Sequence, residues 1–499
     1  METRSLLEFL VIARSQKQEA LEKVSGELTM LDRDIIRVKQ RIERELSESQ
    51  PSLSLNNEGE PEVPVIQEDI IRASKRVFLD ASGEKGAEVA ELSAPLGVEI
   101  TELSAPLGAD STASAARPTE VAESLAPNSK AIIHEHFADL QACYFDESVE
   151  DPLEYFGKKI SKLTKLTRIR QVSALKLGDV AGSSNIISSI EFDRHGQLFA
   201  TAGVSKKIRF YEFRDTMNQT MDLHCPVREI QCKSKVSCIS WNPYIQHQLA
   251  SADYEGLITV YDSNTGLAVS HLEEHEKRSW SVDFSTTDPT RLASGSDDCY
   301  VKLWSLKSRK SILTIDGKAN ICSVRFHPDH GHLLAFGSAD HNVHLYDLRF
   351  AGKPLDILRG HKKAVSYVRF ADNASIVSAS TDCTLRLWSL PGQDDTMLPA
   401  DSSKLTRTFS GHLNEKNFVG LGVQGDLFAC GSENNSVYVY HRDLSKPIAT
   451  FRFSSTCPLT ESSIENEVQQ FVSSLCWKKD SNLMVAANSQ GNIRILEIV

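Results

Sequence analysis

The sequence predicts an all-β fold: a seven-bladed propeller of four-stranded blades, preceded by an α-helical coiled coil and a disordered linker. Three observations predict it. A register mark recurs at Tyr211, Tyr261, Trp304, Tyr346, Trp388 and Tyr440, with Leu496 in the last copy. Three residues before each mark stands a branched aliphatic: Ile208, Ile258, Val301, Val343, Leu385, Val437 and Ile493. The three central gaps are 43, 42 and 42 residues, and insertions stretch the outer gaps to 50–56. Self-similarity at roughly 40–45 residues is the WD-repeat period, four strands to a blade. Asp298, Asp340 and Asp382 precede the aliphatic by three residues, where an Asp holds a tight turn by accepting backbone and His hydrogen bonds.

The other copies carry Ser205, Glu255, Asn434 and Gln490 at the Asp position. Gly360-His361 and Gly411-His412 supply the dipeptide expected before an inner strand, and Glu274-His275 is a weaker version. The last repeat ends at Val499 with only three strands, whereas Arg168–Leu177 alternates like a strand ahead of the first repeat. That strand is expected to complete the last blade and close the ring, removing exposed sheet edges. The propeller therefore spans about 166–499.

Ahead of it, residues 1–47 read as one helix. Leu21, Val24, Leu28, Leu31, Ile35, Val38 and Ile42 alternate steps of three and four; Leu7 and Leu10 fit the register, and Arg14 and Lys17 interrupt it. Such an a/d seam with charged flanks is a coiled coil, either a homodimer or paired with another protein. The competing reading is an amphipathic helix docked on its own domain. Residues 48–130 shift to Glu, Ser, Ala and Pro and contain an eleven-residue duplication at Glu91 and Glu102, so a disordered linker is expected, with a short helix over Ile66–Leu79. Residues 131–165 return to a short helical pattern.

Among 499 residues with net charge −12, no apolar run reaches the ~20 residues that span a bilayer, so no membrane role is expected. The acidic balance opposes direct nucleic-acid binding. Ten cysteines lie between Cys143 and Cys476 without a Cys-x-x-Cys pair, fitting reduced thiols in nucleus and cytoplasm. There is no nucleophile elbow, phosphate loop, zinc-protease or dinucleotide motif, and no cofactor is expected. His327, His330 and His332 read as a solvated loop rather than a metal site, as do His134 and His136. A propeller enzyme is the minor reading.

Propellers bind through rims and mouths, where loops from every blade converge. Lys235, Tyr254, Arg278, Trp280, Lys363 and the segment Asn414–Phe418 break the repeat there. Trp280 beside Arg278, with Lys235 and Lys363 at analogous inner-strand starts, predicts a basic aromatic cup suited to an acidic peptide with an apolar anchor.

Several long runs carry a resemblance: SNIISSIEFD from Ser184, ATAGVSKK from Ala200, DYEG from Asp253, EHEKR from Glu274, HKKAVSY from His361, GHLNEKNFVG from Gly411 and AANSQG from Ala486, with HEHFADLQ from His134. These runs look like the constitutive photomorphogenesis ubiquitin ligase family. That resemblance implies a propeller capturing acidic Val-Pro peptides, transcription factors among their bearers, through Lys235, Tyr254, Arg278, Trp280, His341, Lys363, Glu415 and Phe418. Tyr346-Asp347-Leu348-Arg349 resembles the box by which propellers dock on the adaptor of cullin-four ligases, with Tyr346, Asp347 and Arg349 as the docking residues. The chain departs from the family in two places. No cysteine precedes Cys143, so the zinc-binding RING finger is missing here and transfer chemistry is expected from a partner or an upstream part. Where the family carries a basic import cluster stands the acidic Asp146–Asp151.

The expected function is substrate recognition within a ubiquitin ligase complex, the coil mediating assembly. The alternative is a non-catalytic scaffold with no part in ubiquitin transfer. Within the linker, Glu60-Pro-Glu-Val63-Pro64 matches the expected ligand type, either as a coincidence of a Pro/Glu-rich stretch or as a pseudosubstrate at Val63 and Pro64.

Overall fold

The structure is a computed structural model that describes residues 2–48, 135–144, 156, 159, 163, 166–175, 185–218, 223–390, 405–453 and 470–499. The linker 48–130 beyond Glu48, with Ile66–Leu79, Val63 and Pro64, lies outside the described residues, as do His134 and Asp146–Asp151.

Helix α1 (Glu2–Glu48) is continuous, about 70 Å long at the α-helical rise. Its seam residues Leu21, Val24, Leu28, Ile35, Val38 and Ile42 are all exposed. An aliphatic stripe in water costs free energy that a partner helix would recover.

Seven four-stranded antiparallel sheets form the propeller. From innermost to outermost strand, blade 1 runs from Ile187–Phe192 to Arg228–Gln231 and blade 2 from Val236–Trp241 to Ala268–Leu272. Blade 3 runs from Ser279–Phe284 to Lys310–Asp316, and blade 4 from Ile321–Phe326 to Asp356–Leu358. Blade 5 runs from Val365–Asp372 to Leu405–Phe409, and blade 6 from Leu421–Gln424 to Pro447–Arg452. Blade 7 begins at Val472–Trp477 and takes its outermost strand, Ile169–Ala174, from the start of the ring. That strand pairs antiparallel with Ile493–Ile498, Ile169 opposite Ile498 and Ala174 opposite Arg494. The expected closure is present.

Each blade is apolar on both faces, so neighbours must share cores. Seven apolar clusters among the described residues do this, one per blade interface, such as Ala250, Val282 and Trp304 between blades 2 and 3. The register marks Tyr211, Trp304, Trp388 and Tyr440 are at most 1% exposed, which makes them core residues first.

The turn between second and third strands repeats as backbone geometry. Lys206, Gly256, Cys299, His341, Cys383, Asn435 and Gly491, each five residues before a register mark, all have positive φ of 58–87°. Five are not glycine, so the left-handed conformation needs support. Asp298, Asp340 and Asp382 provide it by accepting backbone N–H bonds from Tyr300, Asn342 and Thr384 at 2.9–3.0 Å.

In blade 5 the same Asp382 anchors a buried chain. Trp388 Nε1–H donates to Ser378 Oγ (2.8 Å), Ser378 to His361 Nε2 (2.7 Å), and His361 Nδ1–H to Asp382 (3.0 Å). Burial raises the Asp382 carboxyl, but His361, Thr384 and the Lys362 amide outweigh it and hold it well below the usual carboxylate range. Blade 3 repeats the chain through Trp304, Ser294, His275 and Asp298, so the weaker Glu274-His275 dipeptide is a full structural member. Blade 6 has no Asp at the turn, and its His412 meets Tyr440 Oη at 2.9 Å instead. The Tyr440 hydroxyl accepts the His412 amide N–H, so its own proton goes to Nδ1. That leaves a buried Nε2 without a partner among the described residues.

Helix α2 (Phe137–Tyr144) lies against blades 5 and 6. Asp139 accepts from Arg407 and from both the amide and hydroxyl of Ser445 at 2.7–2.8 Å, while Leu140 and Leu163 enter the core between blades 6 and 7. His136 there is buried, not solvated. His327 is likewise corrected: it is fully buried, its Nδ1 accepting the Asp329 and His330 amides and its Nε2 facing the Asn373 carbonyl. A ring that caps three backbone groups is a loop clamp. No metal-binding group of side chains occurs among the described residues.

Two outcomes follow from these contacts. Residues 185–499, which lack the closing strand, should melt about 10 °C or more below residues 165–499 in a thermal denaturation comparison. Burial also pushes the His412 imidazole down from 6.5 to about 4. A depressed His contributes stability that is whole above its unfolded pKa and lost as pH falls toward the folded one. Stability should therefore decline as pH drops from about 6.5 to about 4, His412 alone supplying on the order of 3 kcal/mol, and His412→Gln should flatten that profile.

Candidate functional site: a cation-aromatic mouth

The inner strands begin with a shared irregularity. Blades 1, 2, 3, 4, 5 and 7 show a register shift two residues wide at the same place: 187/189, 236/238, 279/281, 321/323, 365/367 and 472/474. A bulge leaves its extra residue unpaired and re-aims its side chain. That residue is Ser188, Ser237, Cys322, Ser366 or Ser473 in five blades, and Trp280 in blade 3. A large ring at a position otherwise held by small residues marks the site. The ring was readable in the sequence as a break in the repeat; that it occupies the bulge position shows only in the register.

Trp280 is oriented from behind, its indole N–H donating to Asp297 at 2.7 Å while Asn320 donates to the same oxygen at 3.0 Å. The Arg278 guanidinium lies 4.2 Å from the Tyr254 ring centroid and 4.8 Å from that of Trp280. Lys235 adds a second ammonium 5.9 Å from Tyr254. Cations over aromatic faces are held by the ring quadrupole and still leave their donors free for a ligand.

The opposite wall comes from blade 6, whose inner strand is only four residues long. The loop ahead of it is tied by Glu433, which accepts the Lys416 and Asn417 amides at 2.8 and 2.7 Å. Gly420, at φ 79°, packs against the Ser474 and Leu475 backbone, where a Cβ would be crowded at 3.0 Å. The loop delivers Phe418 to within 4.5 Å of Trp280, ring to ring, with Tyr367 edge-on at 5.8 Å. Trp280, Tyr254, Phe418 and Tyr367 line one cavity of 660 Å³.

Five sequence-predicted residues, Lys235, Tyr254, Arg278, Trp280 and Phe418, thus form one assembly. His341, Lys363 and Glu415 are exposed on the same rim: His341 in the blade 4 turn, Lys363 before the blade 5 inner strand and Glu415 in the Phe418 loop. Tyr367, on the blade 5 inner strand, was missed; its signal was an aromatic at a channel-facing position.

Tyr346, Asp347 and Arg349 have different environments. Tyr346 is core, stacked on Phe336 at 5.4 Å. Asp347 holds Arg349 through contacts of 2.6–3.1 Å, and this hydrogen bonding keeps its carboxyl below the usual range. The Arg349 side chain is 61% exposed, so the guanidinium is the outward part of this motif.

Comparison with known proteins agrees with the fold. The WD domain, G-beta repeat family matches residues 266–305, 309–347 and 352–389, and the anaphase-promoting complex subunit 4 WD40 domain matches 421–499. The chain is 46% identical over 395 residues to E3 ubiquitin-protein ligase COP1 of Pisum sativum, covering 74% of this chain and 57% of that protein. It is 38% identical over 515 residues to protein SPA1-RELATED 4 of Arabidopsis thaliana, covering 99% of this chain and 63% of that one. WD repeat-containing protein RUP2 of Arabidopsis thaliana is 35% identical over 338 residues, covering 63% of this chain and 88% of the relative. The chain spans a little over half the length of the COP1 proteins it matches. With the closed propeller and the long N-terminal helix in place, the chain belongs to the family of COP1 and SPA1-related WD-repeat proteins.

Proposed function

We propose that the mouth captures acidic peptides with a Val-Pro anchor and that the chain serves as a substrate-recognition subunit of a ubiquitin ligase complex. The observation that carries this reading is the placement of Arg278 against Tyr254 and Trp280, with Phe418 opposite. The ring faces suit a short apolar anchor, and Arg278, Lys235 and Lys363 suit its acidic flank. A proline in the ligand lowers the ordering entropy lost on binding.

The exposed aliphatic seam of α1 supports assembly through a coiled coil, as a homodimer or with another protein. Arg349 is the contact assigned to a cullin-four adaptor, and Val63-Pro64 is an internal competitor for the mouth. Nuclear and cytoplasmic residence fits this role.

An acidic Val-Pro peptide is expected to bind the chain at micromolar level by isothermal titration, and Trp280→Ala to weaken it by about 2 kcal/mol or more, roughly 30-fold. Asp297→Asn keeps the ring but loosens its orientation, so an intermediate loss is expected with little change in melting. Absence of binding by folded wild-type protein would reject the receptor reading and favour a scaffold. Val63→Ala with Pro64→Ala should raise apparent affinity for the external peptide, and unchanged affinity would dismiss the internal competitor.

A further inference from the structure

Beyond the mouth, the same cavity continues between the inner strands, where Glu191, Cys238, Cys322, Arg325 and Arg369 line it. Strand register places one residue from each blade at a common level. Glu191, Ser240, Asp283, Arg325, Arg369, Gly422 and Cys476 each pair with the matching Ala or Val of the second strand. Four of the seven are charged, in inner strands otherwise built mainly of Ser, Cys, aliphatic and aromatic residues.

The charges are unevenly satisfied. Arg325 is paired with Asp283 at 2.6 Å, and Asp283 also accepts the Phe326 amide at 2.8 Å. Glu191 accepts the Trp241 amide at 2.8 Å. Arg369 has no ion pair among the described residues and donates to the carbonyl of its neighbour Val368 at 3.0 Å. Its neighbour on the blade 6 side is Gly422, which contributes no side chain. Two further donors in this wall lack partners among the described residues, the Arg325 Nε–H and the buried Trp477 indole N–H. The Trp477 ring lies 2.9 Å from where a Gly422 Cβ would stand. These groups are all donors, and a half-buried guanidinium seeks an acceptor that carries negative charge. Burial also pushes Glu191 up to about 7 and, with help from Arg325, Arg369 down to about 10. Near neutral pH the ring is therefore short of negative charge.

We propose that this ring is a binding site for a small oxyanion, held in the axial channel by Arg369 and Arg325. It goes beyond the peptide reading of the mouth and does not depend on it. The oxyanion could be a free inorganic ion or a carboxylate carried in by a bound peptide.

The test is isothermal titration of the full chain with sodium sulfate against sodium chloride at constant ionic strength. Saturable sulfate binding is expected for the wild type, about tenfold weaker or worse in Arg369→Gln, and unchanged in the mouth variant Arg278→Gln. Arg369→Lys keeps the charge and should retain most of the binding; it holds the test open if Arg369→Gln fails to melt cooperatively. The titratable and charged groups facing Glu191 are Arg325, Asp283, Arg369, Cys238 and Cys476. Protonating Glu191 removes a competing negative charge, so sulfate should bind more tightly near pH ~6 than pH ~8, and Glu191→Gln should abolish that difference. Repeating the titration with saturating acidic peptide separates the sources: unchanged sulfate binding identifies a free ion, and exclusion of sulfate identifies a peptide carboxylate. Absence of saturable binding by the wild type, equal binding by Arg369→Gln, or loss in Arg278→Gln alone would overturn the proposal.

Discussion

The pairing of Ile169–Ala174 with Ile493–Ile498 is the contact on which the rest of the molecule depends. A propeller has no core of its own in any single blade; its apolar volume is divided among seven interfaces. Opening one interface exposes two blade faces and frees the ring to change circumference. The consequence reaches the mouth, because Trp280 belongs to blade 3 and Phe418 to blade 6. Their 4.5 Å contact exists only if the ring closes at the right size. Closure by the first and last strands of the propeller segment costs chain entropy once and secures every site that spans blades.

Repetition supplies the backbone devices, and exceptions to repetition supply the chemistry. The left-handed turn recurs in all seven blades and the inner-strand bulge in six. Both face the same rim, so any side chain placed on them is presented at the mouth without further evolution of the fold. Most blades fill these positions with small or polar residues. Blade 3 fills the bulge with Trp280, and blade 6 replaces its repeat with a loop clamped by Glu433. The site arises where two blades stop obeying the pattern.

The chain is acidic overall, yet its mouth and channel gather cations. Lys235 and Arg278 stand at equivalent positions just before their inner strands, Lys363 stands one residue further ahead of its own, and Arg325 and Arg369 lie deeper in the channel. The net charge is −12, so these cations are gathered against the overall balance of the chain. Charges in a low-dielectric channel interact more strongly than the same charges on a wet surface.

Fold class, blade count, closing strand and the five assembled mouth residues were readable from the sequence alone. The first three follow from periodicity, since a 42-residue spacing of aromatics and aliphatics leaves one architecture that can bury them, and the mouth residues stand out as breaks in it. The sequence did not tell a buried His327 from a solvated one, because a loop of three histidines looks polar whether or not one ring clamps three backbone groups. It ranked Glu274-His275 as a weak dipeptide, although the imidazole makes the same Asp and Ser contacts as His361. It could not show that Glu191, Asp283, Arg325 and Arg369 share one level of the channel. Successive members of that set lie 42–92 positions apart, and only strand register, bulges included, brings them together. Local pattern determines which faces are buried, since burial of apolar side chains depends on spacing along the strand. Which polar groups meet was decided by the closed ring, because those encounters depend on register between distant strands.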